Sequence, residues 1–168
     1  EGLGSEASRI RCRFVGGQAD QEQKWLAAHP LHASVEATPR LAHPQAVEAM
    51  RKADLLLLLI RAGADWKGHY PAKLFEYLAS GTPILMVGPD GSAAELVRRT
   101  GTGWCFRPED LQGIRTALRQ FAEDPAVFIR SGFQPNKQLI GSFSRKSQTE
   151  SLARIFSRLL EKGIDEKS

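Results

Sequence analysis

The sequence predicts an α/β fold in which a doubly wound parallel sheet carries helices on both faces. Short apolar runs alternate with amphipathic segments along most of the 168 residues, which is the pattern of βαβ units. The run ADLLLLLI, residues 53–60, shows no period of two and is typical of a strand covered on both faces. One later segment repeats apolar residues at three- and four-residue steps, which predicts a helix with a buried stripe formed by Leu111, Ile114, Leu118 and Phe121.

The predicted elements follow one another in regular order. Five strands are expected, at Ile10–Val15, His32–Glu36, Ala53–Ile60, Pro83–Val87 and Gly103–Phe106. Five helices are expected between and after them, at Gln18–Ala28, Pro44–Lys52, Pro71–Ser80, Ser92–Arg99 and Glu109–Glu123. We therefore predict a single domain over residues 1–168, with a core at 10–124 and a C-terminal helical segment at 125–168.

The C-terminal segment ends in a long predicted helix, Ser142–Lys162. Its apolar residues fall on one face, namely Leu152, Ile155, Phe156, Leu159 and Leu160. We expect this face to dock on the sheet domain. A helix that binds a partner or a membrane surface is the alternative.

Composition narrows the class of protein. With 42% apolar and 25% charged residues the chain is ordinary globular protein, and its longest apolar run, Leu55–Ile60, is too short to cross a bilayer. The net charge of +4 is scattered and lacks a basic-aromatic motif, so it favours anionic ligands without indicating nucleic acid. Cys12 and Cys105 lack metal-ligand spacing and are expected to be buried free thiols in a reducing cytoplasm. Because the chain opens without methionine or a signal-peptide pattern, we expect a fragment.

The first candidate binding loop, residues 61–70, precedes the helix Pro71–Ser80. In an open parallel sheet, ligands bind outside the carboxyl ends of the strands, where such loops lie. Pro71 suits a first helical turn and Gly81 suits the position just past a helix end. At about 100° per residue, one side of this helix is polar and carries Lys73, Glu76, Tyr77 and Ser80.

The second candidate loop has the sequence GPDGS, residues 88–92. Its two glycines allow close backbone approach, and the N–H groups of the following helix start could hold an anion such as phosphate. A structural explanation competes with this one. Ser92 and Glu95 have the spacing of a capping box, in which the two side chains satisfy their own helix end.

Three segments together resemble a known family: KLFEYLASGTPIL, GPDGSAAELV and GTGWCFRPEDLQGIRTAL. They look like the C-terminal, nucleotide-sugar-binding domain of GT-B glycosyltransferases of the retaining family 4, also called glycosyl transferases group 1. The upstream FVGG and HPQAVEAMRKADLLLLLI are similar to the preceding strands and helices, so the resemblance covers Ile10–Asp124. It implies a Rossmann-like domain that binds the donor, with the N-terminal acceptor domain absent from this chain.

The resemblance also implies roles for individual residues. Glu76 falls on the family's acidic residue that binds the ribose hydroxyls, and Lys73 becomes a partner for the donor diphosphate. The GPDGS backbone would face the phosphates or the sugar. The complete set of candidate donor-binding residues is Gly16, Gly17, His69, Tyr70, Lys73, Glu76, Gly88, Asp90, Gly91 and Ser92.

Two departures from the family pattern affect the site. Many members carry a sugar-contacting acid eight positions before the ribose glutamate, where this chain has Gly68; Asp65, Lys67 and His69 are possible substitutes. The family's domain also begins with a further strand and helix, whose loop carries an arginine and a lysine that clamp the diphosphate. Since those cations precede the first residue here, we expect half a donor site and no activity from this fragment alone.

The resemblance implies transfer of a sugar from a nucleotide sugar, such as a UDP- or GDP-sugar, to a sugar, lipid-linked or polysaccharide acceptor. It implies retention of configuration, no cofactor and no metal, in the cytoplasm or peripherally at the inner face of the membrane. Two alternatives remain. A flavodoxin-like regulatory or binding module would want acids at the end of its first strand, where only Asp20 follows, too far on. A GT-B-fold nucleotide-sugar epimerase would need an acid and base pair, which the sequence does not present.

Overall fold

The computed structural model describes residues 8–16, 24, 28, 34–61 and 68–165. The strands are β1 (Cys12–Val15), β2 (Val35–Thr38), β3 (Leu56–Leu59), β4 (Ile84–Val87) and β5 (Gly103–Phe106). The helices are α1 (His43–Lys52), α2 (Ala72–Ser80), α3 (Ser92–Thr100), α4 (Leu111–Glu123), α5 (Pro125–Gly132), α6 (Lys137–Ser142) and α7 (Arg145–Asp165). These elements confirm the predicted order. The predicted helix at 18–28 falls almost wholly outside the described residues.

All strand pairs between the described residues are parallel, as the alternation of apolar and amphipathic segments predicted. β1 pairs with β2, while β3, β4 and β5 form a second ladder with β4 in the middle. In the second ladder Leu56 lies opposite Ile84, and Ile84 lies opposite Gly103. No ladder joins the two sheets within the described residues. The loops that follow β3, β4 and β5 therefore leave from one common edge.

Strand β4 separates two apolar layers because its side chains alternate between the two faces of the sheet. On the first face of the sheet, Ile84 and Met86 point into a core formed with α2 and α3; on the second face, Leu85 and Val87 belong to a cluster with α4 and α5. Ile84, Leu85 and Met86 are almost inaccessible to solvent. Helices on both faces of a parallel sheet confirm the predicted α/β, Rossmann-like fold.

The predictions of burial on the second face were wrong at three leucines. Leu57 and Leu59 in β3 are 38% and 60% exposed, although the run ADLLLLLI had predicted cover on both faces. The helices on that face pack on β4 and β5, through residues such as Leu85, and leave the outer strand open. Leu111, expected in the buried stripe of α4, is 66% exposed because it lies at the first residue of the helix.

The chain between α5 and α6 crosses from one face of the sheet to the other. On the second face, Phe128 of α5 stacks on Trp104 with ring centroids 4.0 Å apart. The backbone of residues 133–136 then runs along the end of α3, where the Gln134 N–H donates to the Gly101 carbonyl at 2.8 Å. On the first face, Ile140 and Phe143 pack against the core. We call residues 133–136 the strap.

The terminal helix α7 does not dock on the sheet, so that prediction was wrong. Its apolar residues are 51–60% exposed, namely Leu152, Ile155, Phe156 and Leu159. The helix follows Ser144 and adjoins α6 rather than the sheet, which leaves this face without protein to cover it among the described residues. None of the described helices combines the length and hydropathy that a bilayer crossing requires.

Candidate functional site

Helix α2 packs on the core through its buried residues, and no side chain caps its start. Leu74 is fully buried and Leu78 is 3% exposed, which fixes the helix against β3 and β4. Pro71 is the N-cap rather than a residue of the first turn, and it supplies no side-chain hydrogen bond to the helix start. Gly81 ends the helix with a left-handed φ of 77°, as predicted. The first N–H groups of α2 therefore have no side-chain cap.

Lys73 and Glu76 lie one turn apart on the exposed side of α2. Neither forms an ion pair or a hydrogen bond with another side chain of the described residues. An ammonium and a carboxylate in this position can bind a ligand without first breaking a side-chain contact to any of the described residues. Of the residues predicted to share this polar side, these are the two that remain available.

The other two predicted members of the polar side have structural roles. Tyr77 packs, partly buried, against the first-face core, and burial together with the Glu76 carboxylate raises its pKa. The Ser80 hydroxyl donates to the Tyr77 carbonyl at 2.7 Å and accepts from the Thr82 N–H at 3.1 Å. It thereby satisfies backbone groups at the end of the helix. The spacing of about 100° per residue placed the four residues correctly on one side of α2. It could not show that the core partly covers Tyr77 or that Ser80 bonds to backbone groups.

Tyr70 lies at the start of α2 with 46% of its surface exposed. Its ring rests on Phe75 with centroids 5.9 Å apart, and Phe75 in turn rests on Phe143 at 5.8 Å. This row of rings anchors Tyr70 from the core outward. His69 directly precedes it and is exposed, as is Gly68.

The second loop begins with Gly88, which the structure requires for close packing. A Cβ at this position would lie 2.8 Å from the Cβ of Ile60 at the end of β3. The Gly88 N–H donates to the Phe106 carbonyl at 3.0 Å. Gly88 thus brings the loop after β4 between the ends of its two neighbouring strands.

Helix α3 begins without a side-chain cap, as α2 does. Gly91 is the N-cap, with extended backbone and no side-chain oxygen, and Ser92 is the first helical residue. The predicted capping box of Ser92 and Glu95 was therefore wrong, because glycine takes the cap position. Glu95 instead lies 3.7 Å from Arg99 in an ion pair one turn along the helix.

Asp90 connects three segments that are distant in sequence. Its Oδ1 accepts from Arg98 Nη2 at 2.9 Å, and its Oδ2 accepts from Arg107 Nε at 2.7 Å. Hydrogen bonds from Arg98 and then Arg107 hold the pKa of the Asp90 carboxyl below its usual value. Sequence reasoning missed this arrangement and named only Asp90. We call these three side chains the Asp90 clamp.

Gly16 follows β1 with a left-handed φ of 121°, and its N–H donates to the Thr38 carbonyl at 3.1 Å. It lies at the carboxyl edge of the smaller sheet. Gly17 lies outside the described residues. The structure therefore groups most candidate residues along the edge of β3 and β4, but it places Gly16 on the other ladder.

The thiols are poor nucleophiles in this fold. Cys105 is half-buried, and burial raises its pKa to about 11. Its Sγ donates to the Ala94 carbonyl at 3.6 Å. Burial also raises the pKa of Cys12, which is half-buried as well. Across the described part of the chain, no three His, Cys, Asp or Glu side chains gather as metal ligands.

Comparison with known proteins gives a consistent family. The model of the family "Glycosyl transferases group 1" matches residues 3–140. Glycogen synthases of two Mycobacterium tuberculosis strains, CDC 1551 / Oshkosh and ATCC 25618 / H37Rv, are each 27% identical over 146 residues, covering 84% of this chain and 34% of their own length. The chain thus spans about a third of the length of these curated relatives.

A solved structure supports the fold independently of close sequence similarity. Sucrose-phosphate synthase from Thermosynechococcus elongatus superposes with a TM-score of 0.68 at 15% identity. The match covers 96% of this chain and 43% of the synthase. At this identity the likeness concerns the fold alone.

Proposed function

The chain belongs to the glycosyl transferases group 1 family, and from that premise we propose that it forms the nucleotide-sugar-binding half of an enzyme that transfers a sugar to an acceptor. Family membership removes the flavodoxin-like module from the alternatives. The observation that carries the proposal is the pair Lys73 and Glu76, exposed at the start of α2 and without internal partners among the described residues.

Glu76 suits recognition of a ribose. An ionised carboxylate only accepts hydrogen bonds, and its two oxygens can take both protons of a vicinal diol. The resemblance gives this role to the same residue. Each hydrogen bond to a charged group contributes about 1.5–3 kcal/mol. Glu76 is therefore proposed to hold the 2′- and 3′-hydroxyls of the donor nucleotide.

The remaining groups suit the donor diphosphate. Lys73 supplies a cation in the first turn of α2, and the uncapped starts of α2 and α3 present N–H groups at the positive ends of their helices. The backbone of residues 88–92 follows β4, the strand next to β3, and is proposed to face the same diphosphate. Stabilisation of a leaving diphosphate by fixed dipoles and cations needs no proton transfer from the protein. His69, Tyr70 and Gly16 complete the proposed donor surface, with contacts to the sugar or base.

The acceptor is proposed to be a saccharide, either a growing polysaccharide or a lipid-linked precursor. Two relatives are named glycogen synthase, which supports a carbohydrate acceptor. Retention of configuration and donor binding without a resident metal follow the family resemblance and belong to the same proposal, as does action in the cytoplasm or at the inner face of the membrane. A second domain of the same protein is proposed to bind the acceptor.

The test is calorimetric titration of the intact protein with UDP, GDP and ADP. We expect one nucleotide to bind, and we expect Glu76→Ala to weaken it by at least tenfold with no change in melting temperature. The 2′,3′-dideoxy form of that nucleotide should bind the wild type equally weakly. It should lose nothing further in Glu76→Ala, since the interaction is already gone.

The matched control is Glu48→Gln on α1. Glu48 is also an exposed helical glutamate, but its carboxylate is held 2.6 Å from Lys52. Its substitution should leave nucleotide affinity unchanged. Wild-type affinity in Glu76→Ala, or no binding of any of the three nucleotides by the intact protein, would contradict the proposed donor site.

A further inference from the structure

The Asp90 clamp brings together the loop after β4, the last turn of α3 and the loop after β5. Arg98 lies eight residues beyond Asp90 and Arg107 lies 17 residues beyond it. Each carboxylate oxygen accepts a charge-assisted hydrogen bond from a different guanidinium. One exposed side chain thus ties two neighbouring loops of the candidate edge to the helix between them.

The clamp contributes little to overall stability, which points to a local role. The side chains of Asp90, Arg98 and Arg107 are 44%, 54% and 68% exposed, and ion pairs this accessible add little to the stability of a fold. The buried layers below, with residues such as Val97 fully enclosed, hold α3 in place without it.

The clamp acts on a loop that contains two glycines and one proline, Pro89. Asp90 lies between Gly88 and Gly91 in the GPDGS segment, and glycine has more backbone freedom to lose than any other residue. Gly88 is already fixed by Ile60 and by its hydrogen bond to Phe106. Asp90 itself is exposed, and Gly91 and Ser92 are only partly buried, so the clamp adds a side-chain restraint to the stretch that leads into the start of α3.

We propose that Asp90 is a positioning residue: by holding Arg98 and Arg107 it fixes the backbone of residues 88–92 and the start of α3 to receive the diphosphate of the donor. This inference rests on the proposed function. It assigns Asp90 an indirect role, because both of its oxygens are already engaged within the protein. The clamp carries two cations and one anion and therefore has a net charge of +1.

The experiment compares Asp90→Asn with the wild type in the intact protein, using two probes. These are whichever of UDP, GDP and ADP binds the wild type, and the corresponding nucleoside measured by competition. We expect Asp90→Asn to weaken the diphosphate by fivefold or more and to leave the nucleoside unchanged. The melting temperature should change by no more than about 1 °C, as expected for an exposed site. A merely structural role would weaken both probes together.

A double-mutant cycle with Arg107→Gln separates positioning from direct contact. If the clamp acts as a unit, either substitution alone should cause about the same loss, and the double variant should lose little more. Losses that add would place Arg107 on the phosphates independently of Asp90 and would overturn the inference. Wild-type diphosphate affinity in Asp90→Asn would also overturn it.

The Glu76→Ala measurement distinguishes the two proposals. If Glu76→Ala loses ribose recognition while Asp90→Asn binds normally, the inference about Asp90 fails and the proposed donor site stands. If the intact wild type binds none of the three nucleotides, both fail. The control Glu48→Gln removes an exposed ion pair of similar type from α1 and should change neither probe.

Discussion

Helices α2 and α3 follow adjacent strands of one sheet and begin at the same edge, yet they use their charges differently. Both starts lack a side-chain cap. On α2, Lys73 and Glu76 have no ion-pair partner among the described residues, whereas near α3 both Asp90 and Glu95 are paired with arginine. The charges on α2 thus have no described partner to release before they bind a ligand, while the carboxylates near α3 are already engaged within the protein.

Helices α2 and α3 each bury one side in the same apolar core. Leu74 in α2 and Val97 in α3 are both fully buried in the same core. What separates the two helices at this edge is whether their exposed charges have partners within the protein. Substitutions that separate interior from surface, and one surface from the other, test this division.

The largest effect is expected from Leu74→Ala. Removal of a fully buried leucine should lower the free energy of unfolding by about 2–5 kcal/mol, since it leaves a cavity in the core shared by α2 and α3. Denaturant unfolding measures this change. Glu76→Ala on the same helix should stay within about 0.5 kcal/mol of the wild type. Equal losses in the two variants would show that the exposed side of α2 also holds the fold.

Gly88→Ala should have an intermediate effect. The added Cβ would lie 2.8 Å from that of Ile60, so the strand end or the loop must shift, at a cost of about 1–3 kcal/mol. Gly68→Ala is the control, because no atom of the residues that the structure describes lies within 4 Å of its added Cβ. Thermal unfolding of the two variants should separate clearly. An unchanged melting temperature in Gly88→Ala would contradict the close packing of Gly88 against Ile60.

The smallest effect is expected from Glu95→Gln. The pair with Arg99 is exposed and spans one helical turn, so its loss should cost only about 0.3–0.5 kcal/mol and should vanish at high salt. Urea unfolding at low and high ionic strength measures the difference. A loss of several times this size would indicate that Glu95 caps the helix after all.

Local sequence chemistry predicted much of the fold. The strand Gly103–Phe106 begins and ends where expected, and Gly81 ends α2 in the left-handed conformation that glycine favours. Pro71 shifted by one residue, from the first turn to the cap, which is a boundary difference of the usual size. Signals within four or five residues of one another were sufficient for these assignments.

The sequence predictions were wrong or incomplete where elements distant in sequence determine the burial or the hydrogen bonds of a residue. Tyr77 is on the predicted side of α2, but the first-face core covers it. The capping-box spacing was present at Ser92, yet the turn placed Gly91 at the cap. The Asp90 clamp joins residues 17 positions apart through the pairing of β4 with β5, and no short motif encodes that contact.

The strap couples the unfolding of the helical layers on the two faces of the sheet. It continues directly from α5, whose Phe128 packs on one face, into α6, whose Ile140 packs on the other. Between them, the backbone of Gln134 is bonded to Gly101 at the end of α3. Displacement of either helical layer would pull on the strap and thereby disturb the packing of the opposite layer. The sheet and its two layers should therefore unfold as one cooperative unit, with α7 left outside it.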